Sequence, residues 1–127
     1  MSNFYITTSI PYVNEEPHIG FGMELVLADI LARYMRQHKT PTLFATGTDE
    51  HGGKIAEKAA ELKLPPKEFT DQASKKFQDL LKTLNISNDR FVRTTDPAHE
   101  QRAQTIWKSL SKYIYKGKYT GWYCTGD

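Results

Sequence analysis

Pro11-Tyr12-Val13-Asn14-Glu15-Glu16-Pro17-His18-Ile19-Gly20-Phe21 joins two runs of different period, and this junction decides the fold. Before it, Phe4 to Ile10 carries the alternating β-branched and aromatic content of a strand. After it, Met23, Val26, Leu27, Ile30, Leu31 and Tyr34 recur at three- and four-residue spacing, which predicts a helix from Ile19 to about Gln37. Pro11 and Pro17 keep the connection extended and stop the helix from starting early. The first turn of that helix offers amide groups without intrahelical partners and the positive end of the helix dipole, a setting that favours phosphate. His18 stands there as a donor, and Gly20, lacking a Cβ, lets a flat ring come close to the backbone.

Working outward, Thr42 to Thr46, followed by Gly47, reads as a second strand. Strand, helix and strand make a right-handed βαβ unit with parallel strands. The loops after both strands then leave the sheet at one edge, where open α/β folds bind their ligands. Residues 11 to 20 and 47 to 53 are therefore expected to face one crevice. Further on, Gly53 to Leu62 reads as a short helix ended by Leu64-Pro65-Pro66. Phe69, Ala73, Phe77, Leu80, Leu81 and Leu84 mark a second one, with Pro66 near its start. Arg90 to Thr94 is a third strand candidate. Asp96-Pro97 predicts a capped helix running to about Tyr115 and closed by Gly117, and Tyr119 to Cys124 is a last strand candidate.

The 127 residues are one domain by length, enough to bury roughly two thirds of the unfolded surface. A net charge of +2 is too small to argue for nucleic acid by itself. The lone Cys124 excludes an internal disulfide and a four-thiolate metal site; it reads as structural, in a reducing compartment. With no leader and no apolar run near the roughly 20 residues of a membrane span, the expected location is the cytoplasm, away from any membrane.

A second constellation, Thr46-Gly47-Thr48-Asp49-Glu50-His51-Gly52-Gly53, lies by this topology beside His18. Asp49 there is suited to receive a ligand ammonium; alternatively, Asp49 or Glu50 caps the helix that begins near Gly53. His18, Asp49 and His51 are types that bind zinc, yet neither loop has ligand spacing that requires a metal, and none is expected. Ser9, Ile10 and Tyr12 leave the first strand at the ligand edge and either line a pocket or, for Ile10, pack in the core. The Lys108, Lys112 and Lys116 stripe reads as a solvated helix face. G-x-G-x-x-G after a strand, G-x-x-x-x-G-K-[ST] and G-x-S-x-G are missing, so dehydrogenase, P-loop and hydrolase readings lose their main support.

Pro17-His18-Ile19-Gly20 and Thr-Gly-Thr-Asp-Glu-His-Gly at 46–52, in this order, closely resemble the N-terminal catalytic half of the methionyl-tRNA synthetases, a class I aminoacyl-tRNA synthetase family. The likeness extends through Tyr5-Ile6-Thr7-Thr8, Ala28-Asp29, Arg33-Tyr34, Arg93-Thr94-Thr95-Asp96, Tyr115-Lys116-Gly117 and Gly121-Trp122-Tyr123-Cys124. The resemblance implies an α/β fold, a Rossmann-like parallel sheet with flanking helices, forming the first half of the family's nucleotide-binding domain. The chain would end where an inserted connective domain begins.

The same resemblance implies residue roles. His18, the catalytic residue, would contact the ATP phosphates and Gly20 would pack on adenine, with Pro11 and Phe21 also at the ATP site. Phe21 stands where the family signature has its second histidine, which removes an imidazole one turn on from His18. Asp49 would hold the amino group of methionine, Ile10 and Tyr12 would line its side-chain pocket with Ser9 beside them, and Glu50, His51 and Gly52 would form the supporting loop. ATP with Mg2+, methionine and tRNA(Met) are the implied ligands, the tRNA through parts of the protein not present here; zinc is not expected in this stretch. The chain alone, without the family's lysine loop, is expected not to aminoacylate tRNA. The alternatives are a smaller nucleotidyltransferase with a His-x-Gly-His turn and a non-catalytic nucleotide-fold module.

Overall fold

The computed structural model describes residues 3–122. β1 (Phe4–Thr7), α1 (Ile19–Gln37), β2 (Thr42–Thr48), α2 (Gly53–Glu61), α3 (Pro66–Thr83), β3 (Arg90–Arg93) and α4 (Pro97–Ser109) follow in that order, with a 3-10 turn at Ser111–Tyr113. The strands form one sheet in the order β1-β2-β3, both pairs parallel, Phe4 opposite Thr42 and Ala45 opposite Arg90. Two successive right-handed crossovers in the same direction put α1 and the α2–α3 pair on one face of the sheet.

The core sits under that face. Phe21 and Leu25 of α1 meet Ile55 and Ala59 of α2, and Phe69, Ala73, Phe77 and Leu81 of α3. Val13 plugs the same cluster from the loop after β1, which ties the loop down at its middle. A second cluster packs Ala28 and Ala32 against Phe44 of β2. Here the structure differs from the periodicity reading. Met23, Val26, Leu27, Ile30, Leu31 and Tyr34 are exposed, and the face of α1 that turns inward carries Phe21, Leu25, Ala28, Asp29 and Ala32. Small residues let α1 lie close on the sheet. The helix is apolar on two sides, so its larger side chains mark the wrong one.

Asp29 belongs to the inner face because it is fully engaged there. Its carboxylate accepts from the amide and hydroxyl of Ser87, at 2.7 and 2.5 Å, and from Arg33 Nε at 2.6 Å, pinning α1 to the approach to β3. Burial pushes the carboxyl up, but the Ser87 and Arg33 bonds outweigh it and leave it below its ordinary value.

Other boundaries shift for local reasons. β1 ends at Thr7 rather than Ile10, since the Ser9 amide and hydroxyl both donate to Glu24 of α1, each at 2.6 Å, drawing the chain off the sheet. β2 runs through Gly47, where an added Cβ would stand 2.0 Å from the Val92 carbonyl oxygen. Only glycine permits that approach of β2 to β3. α4 stops at Ser109, so Lys108, Lys112 and Lys116 do not share one helix. Asp96 does begin α4, but its side chain makes no cap bond to the helix. Residues 119–122 are not a strand; Tyr123 and Cys124 lie outside the described residues. Among those described, no helix is long and apolar enough to cross a membrane.

Candidate active site

His18 is the N-cap of α1, with extended backbone angles. Its Nδ1 accepts the Gly20 amide at 3.1 Å, which satisfies one otherwise unpartnered amide of the first turn. In the neutral ring this leaves the proton on Nε2 and directs that N–H away from the helix. Gly20 has its own local reason, since a Cβ there would come within 2.9 Å of His18 Cε1.

The second loop meets the first through the backbone. The Asp49 amide donates to the Pro11 carbonyl at 2.9 Å, and Tyr12 and Asp49 form a parallel bridge that extends the sheet beyond β1. Residues far apart in sequence therefore share one edge. A polar cleft of about 320 Å³ opens beside it, lined by Pro11, Tyr12, Asn14, His18, Phe21 and Lys54 among others. Phe21 forms its apolar floor; the ring is buried and meets Phe77 edge-on, with centroids 5.6 Å apart. Ile10 and Tyr12 are exposed at this sheet edge rather than packed in the core, and the Ser9 hydroxyl is engaged by Glu24. Gly52 lies beside the Tyr12 ring and adopts a positive φ of 141°, which favours glycine.

Neither Asp49 nor Glu50 caps α2; the N-cap is Gly52, with no side-chain bond. Glu50 turns inward instead, with only 3% of its surface exposed. Arg93 Nε and Nη2 hold its two oxygens at 2.7 and 2.9 Å, the Thr48 hydroxyl donates to Oε1 at 2.8 Å, and the Thr95 hydroxyl donates to Oε2. Arg93 also reaches Asp71 of α3 at 2.6 Å. Burial pushes the Glu50 carboxyl up; the bonds from Arg93, Thr95 and Thr48, with the Arg93 charge, more than reverse this and hold it below the usual carboxylate value. The Glu50 bonds correspondingly raise Arg93 above its ordinary range. A buried ion pair contributes to stability only when its remaining lone pairs are satisfied, and here they are.

His51 turns toward the end of β3 and α4. Its Nε2 is 3.2 Å from the Thr94 carbonyl and 3.8 Å from Glu100 Oε1, while its amide reaches Asp49 Oδ1 at 3.4 Å. His18, Asp49 and His51 do not converge, and no group of three or more His, Cys, Asp or Glu side chains among the described residues is placed to hold a metal ion. Sequence reasoning missed the parts played by Arg93, Thr94 and Glu24. Arg93 and Thr94 were visible only within the Arg93-Thr94-Thr95-Asp96 likeness and Glu24 only as a charge on the helix, and neither signal names a partner.

A parallel sheet whose strand ends meet a helix N-terminus and a carboxylate loop is the arrangement of a nucleotide-binding α/β domain. A family model described as tRNA synthetases class I (M) matches residues 4–127, and the chain belongs to that family. It is 43% identical over 128 residues to the methionine–tRNA ligase of Rickettsia bellii, covering 99% of this chain and 25% of that protein. The methionine–tRNA ligase of Thermotoga maritima is 47% identical over 123 residues, covering 95% of this chain and 20% of that one. Among solved structures, Mycobacterium tuberculosis methionyl-tRNA synthetase in complex with methionyl-adenylate matches with a TM-score of 0.85 and 40% identity, over 88% of this chain and 22% of that chain. The chain thus spans a quarter or less of the length of these relatives.

Proposed function

We propose that this chain is the N-terminal half of the catalytic nucleotide-binding domain of a methionine–tRNA ligase, ending at an inserted connective domain, and that it supplies half of the site that activates methionine. The observation that carries the reading is the Tyr12–Asp49 bridge, which sets the His18-capped helix and the Asp49 loop at one sheet edge.

In the reaction, a methionine carboxylate oxygen attacks the α-phosphorus of ATP, and the bond to the bridging oxygen breaks as pyrophosphate leaves with Mg2+, which arrives as part of the nucleotide substrate. A hydroxyl of the tRNA(Met) terminal ribose then takes the methionyl group and AMP departs, a step assigned to regions of the ligase outside this chain. The residues here position and stabilise rather than form a covalent intermediate. His18 presents Nε2–H to the phosphates beside the first-turn amides of α1. Pro11, Gly20 and Phe21 shape the nucleotide side of the cleft. Asp49 accepts the methionine ammonium, and Ser9, Ile10 and Tyr12 bound its side chain. Glu50, His51 and Gly52 hold the Asp49 loop. The assigned compartment is the cytoplasm, where translation substrates are found.

An NMR titration of the labelled chain with a non-hydrolysable methionyl-adenylate analogue, with the leucyl analogue as control, tests this. Methionyl-selective shifts confined to Ser9–Phe21 and Gly47–Gly53 are expected. Equal responses to both analogues would overturn the methionine assignment.

A further inference from the structure

We propose that Thr94, just past the end of β3, is a positioning residue that presets the Asp49 carboxylate for a ligand's ammonium group; this rests on the reading of Asp49 given above. Three consecutive residues reach across to the 49–51 loop. Arg93 and Thr95 both bond the Glu50 carboxylate, and Thr94 between them bonds the loop's backbone and the half-buried Asp49 carboxylate.

The Thr94 side chain is a relay with one proton and two lone pairs. The Glu50 amide donates to its oxygen at 2.8 Å, so the hydroxyl proton is left to point elsewhere, and Asp49 Oδ1 lies 3.4 Å away. The His51 amide approaches the same Oδ1 at 3.4 Å. Two donors on one oxygen define the carboxylate plane and therefore the direction of the second oxygen. Contacts of this kind are often long in a ligand-free site and tighten in the complex. Thr94 is itself fixed, being buried, with its amide on the Thr48 carbonyl at 3.3 Å and its carbonyl 3.2 Å from His51 Nε2. An aspartate left to its own rotamers would lose that freedom on binding, whereas one already oriented does not.

The test is rotamer-reporting NMR of Asp49 in the 127-residue chain, as wild type, Thr94→Val and Thr94→Ser. One dominant Asp49 χ1 rotamer is expected in the wild type and in Thr94→Ser, and averaging in Thr94→Val, which keeps the shape and removes the hydroxyl. Should the valine variant fail to fold, Thr94→Ala carries the same comparison. An Asp49 rotamer that stays fixed without the hydroxyl, or one that serine fails to restore, overturns the proposal. Titration with methionine against N-acetylmethionine reads the ligand separately. The valine variant is expected to bind methionine about tenfold more weakly, the size of one lost hydrogen bond. If the wild type does not distinguish methionine from its acetylated form while Asp49 still loosens in Thr94→Val, the ammonium reading falls and the Thr94–Asp49 linkage stands.

Discussion

Two surfaces of this small domain are built on opposite terms. At the ligand edge, Glu50 is buried among Arg93, Thr48 and Thr95, and no buried side-chain polar atom among the described residues lacks a partner. Along the outer side of α1, Met23, Leu27, Ile30 and Leu31 are each half or more exposed, with apolar surface facing outward. The first region is polar and closed, the second apolar and open. The contrast teaches that hydrophobic content and burial part company in α1, and that the 49–51 loop is ordered by charge pairing rather than by apolar bulk.

The strongest way to break the closed region is to remove one partner of its ion pair. Arg93→Leu leaves Glu50 buried without its cation and is expected to cost about 3–5 kcal/mol in urea unfolding, whereas replacing both residues by apolar ones recovers much of that. Next is Gly47→Ala. Its Cβ meets the Val92 backbone, and the cost expected in the same assay is about 3 kcal/mol, with β2 and β3 forced apart.

Acid probes the same lock more gently. The Glu50 and Asp29 carboxyls sit below their ordinary values, so the unfolded chain takes up protons first as pH falls. Their contribution is complete above about pH 4.5 and is lost as pH falls through the lowered folded values. Urea midpoints measured from about pH 6 down to about pH 3 should decline only in the lower part of this range, and Glu50→Gln with Asp29→Asn should flatten the decline. The smallest effect belongs to the open face. Leu27→Ala is expected to change stability by about 0.5 kcal/mol or less, against about 2–5 for Leu25→Ala two residues earlier on the buried side. Similar losses for both would erase the contrast.

What the sequence made legible follows from period and chain direction. The strand before Pro11, the helix from Ile19 and the strand at Thr42 together required parallel strands with their ends on one side, and from this came the meeting of the His18 turn with the Asp49 loop. Contacts decided by neighbours distant in sequence were not legible. No pattern in the chain links Arg93 to Glu50, or Ser87 to Asp29. The helix face that packs on the sheet was concealed because Ala28 and Ala32 carry a weaker apolar signal than Leu27 and Ile30. Gly47 resembled a strand end, since a glycine demanded by an adjacent strand looks in sequence like one demanded by a turn. α4 ended earlier than Gly117 implied, because Leu110 already caps it and a 3-10 turn follows.

The bond from the Gly20 amide to His18 Nδ1 has a consequence for regiochemistry. One ring nitrogen is committed to starting the helix, so an incoming molecule can address His18 only through the other. A ligand that needs an N–H donor finds one already presented, while one that takes Nδ1 displaces the Gly20 amide, a cap bond worth about 1 kcal/mol. A bias between these two kinds of guest is therefore set by the helix cap itself.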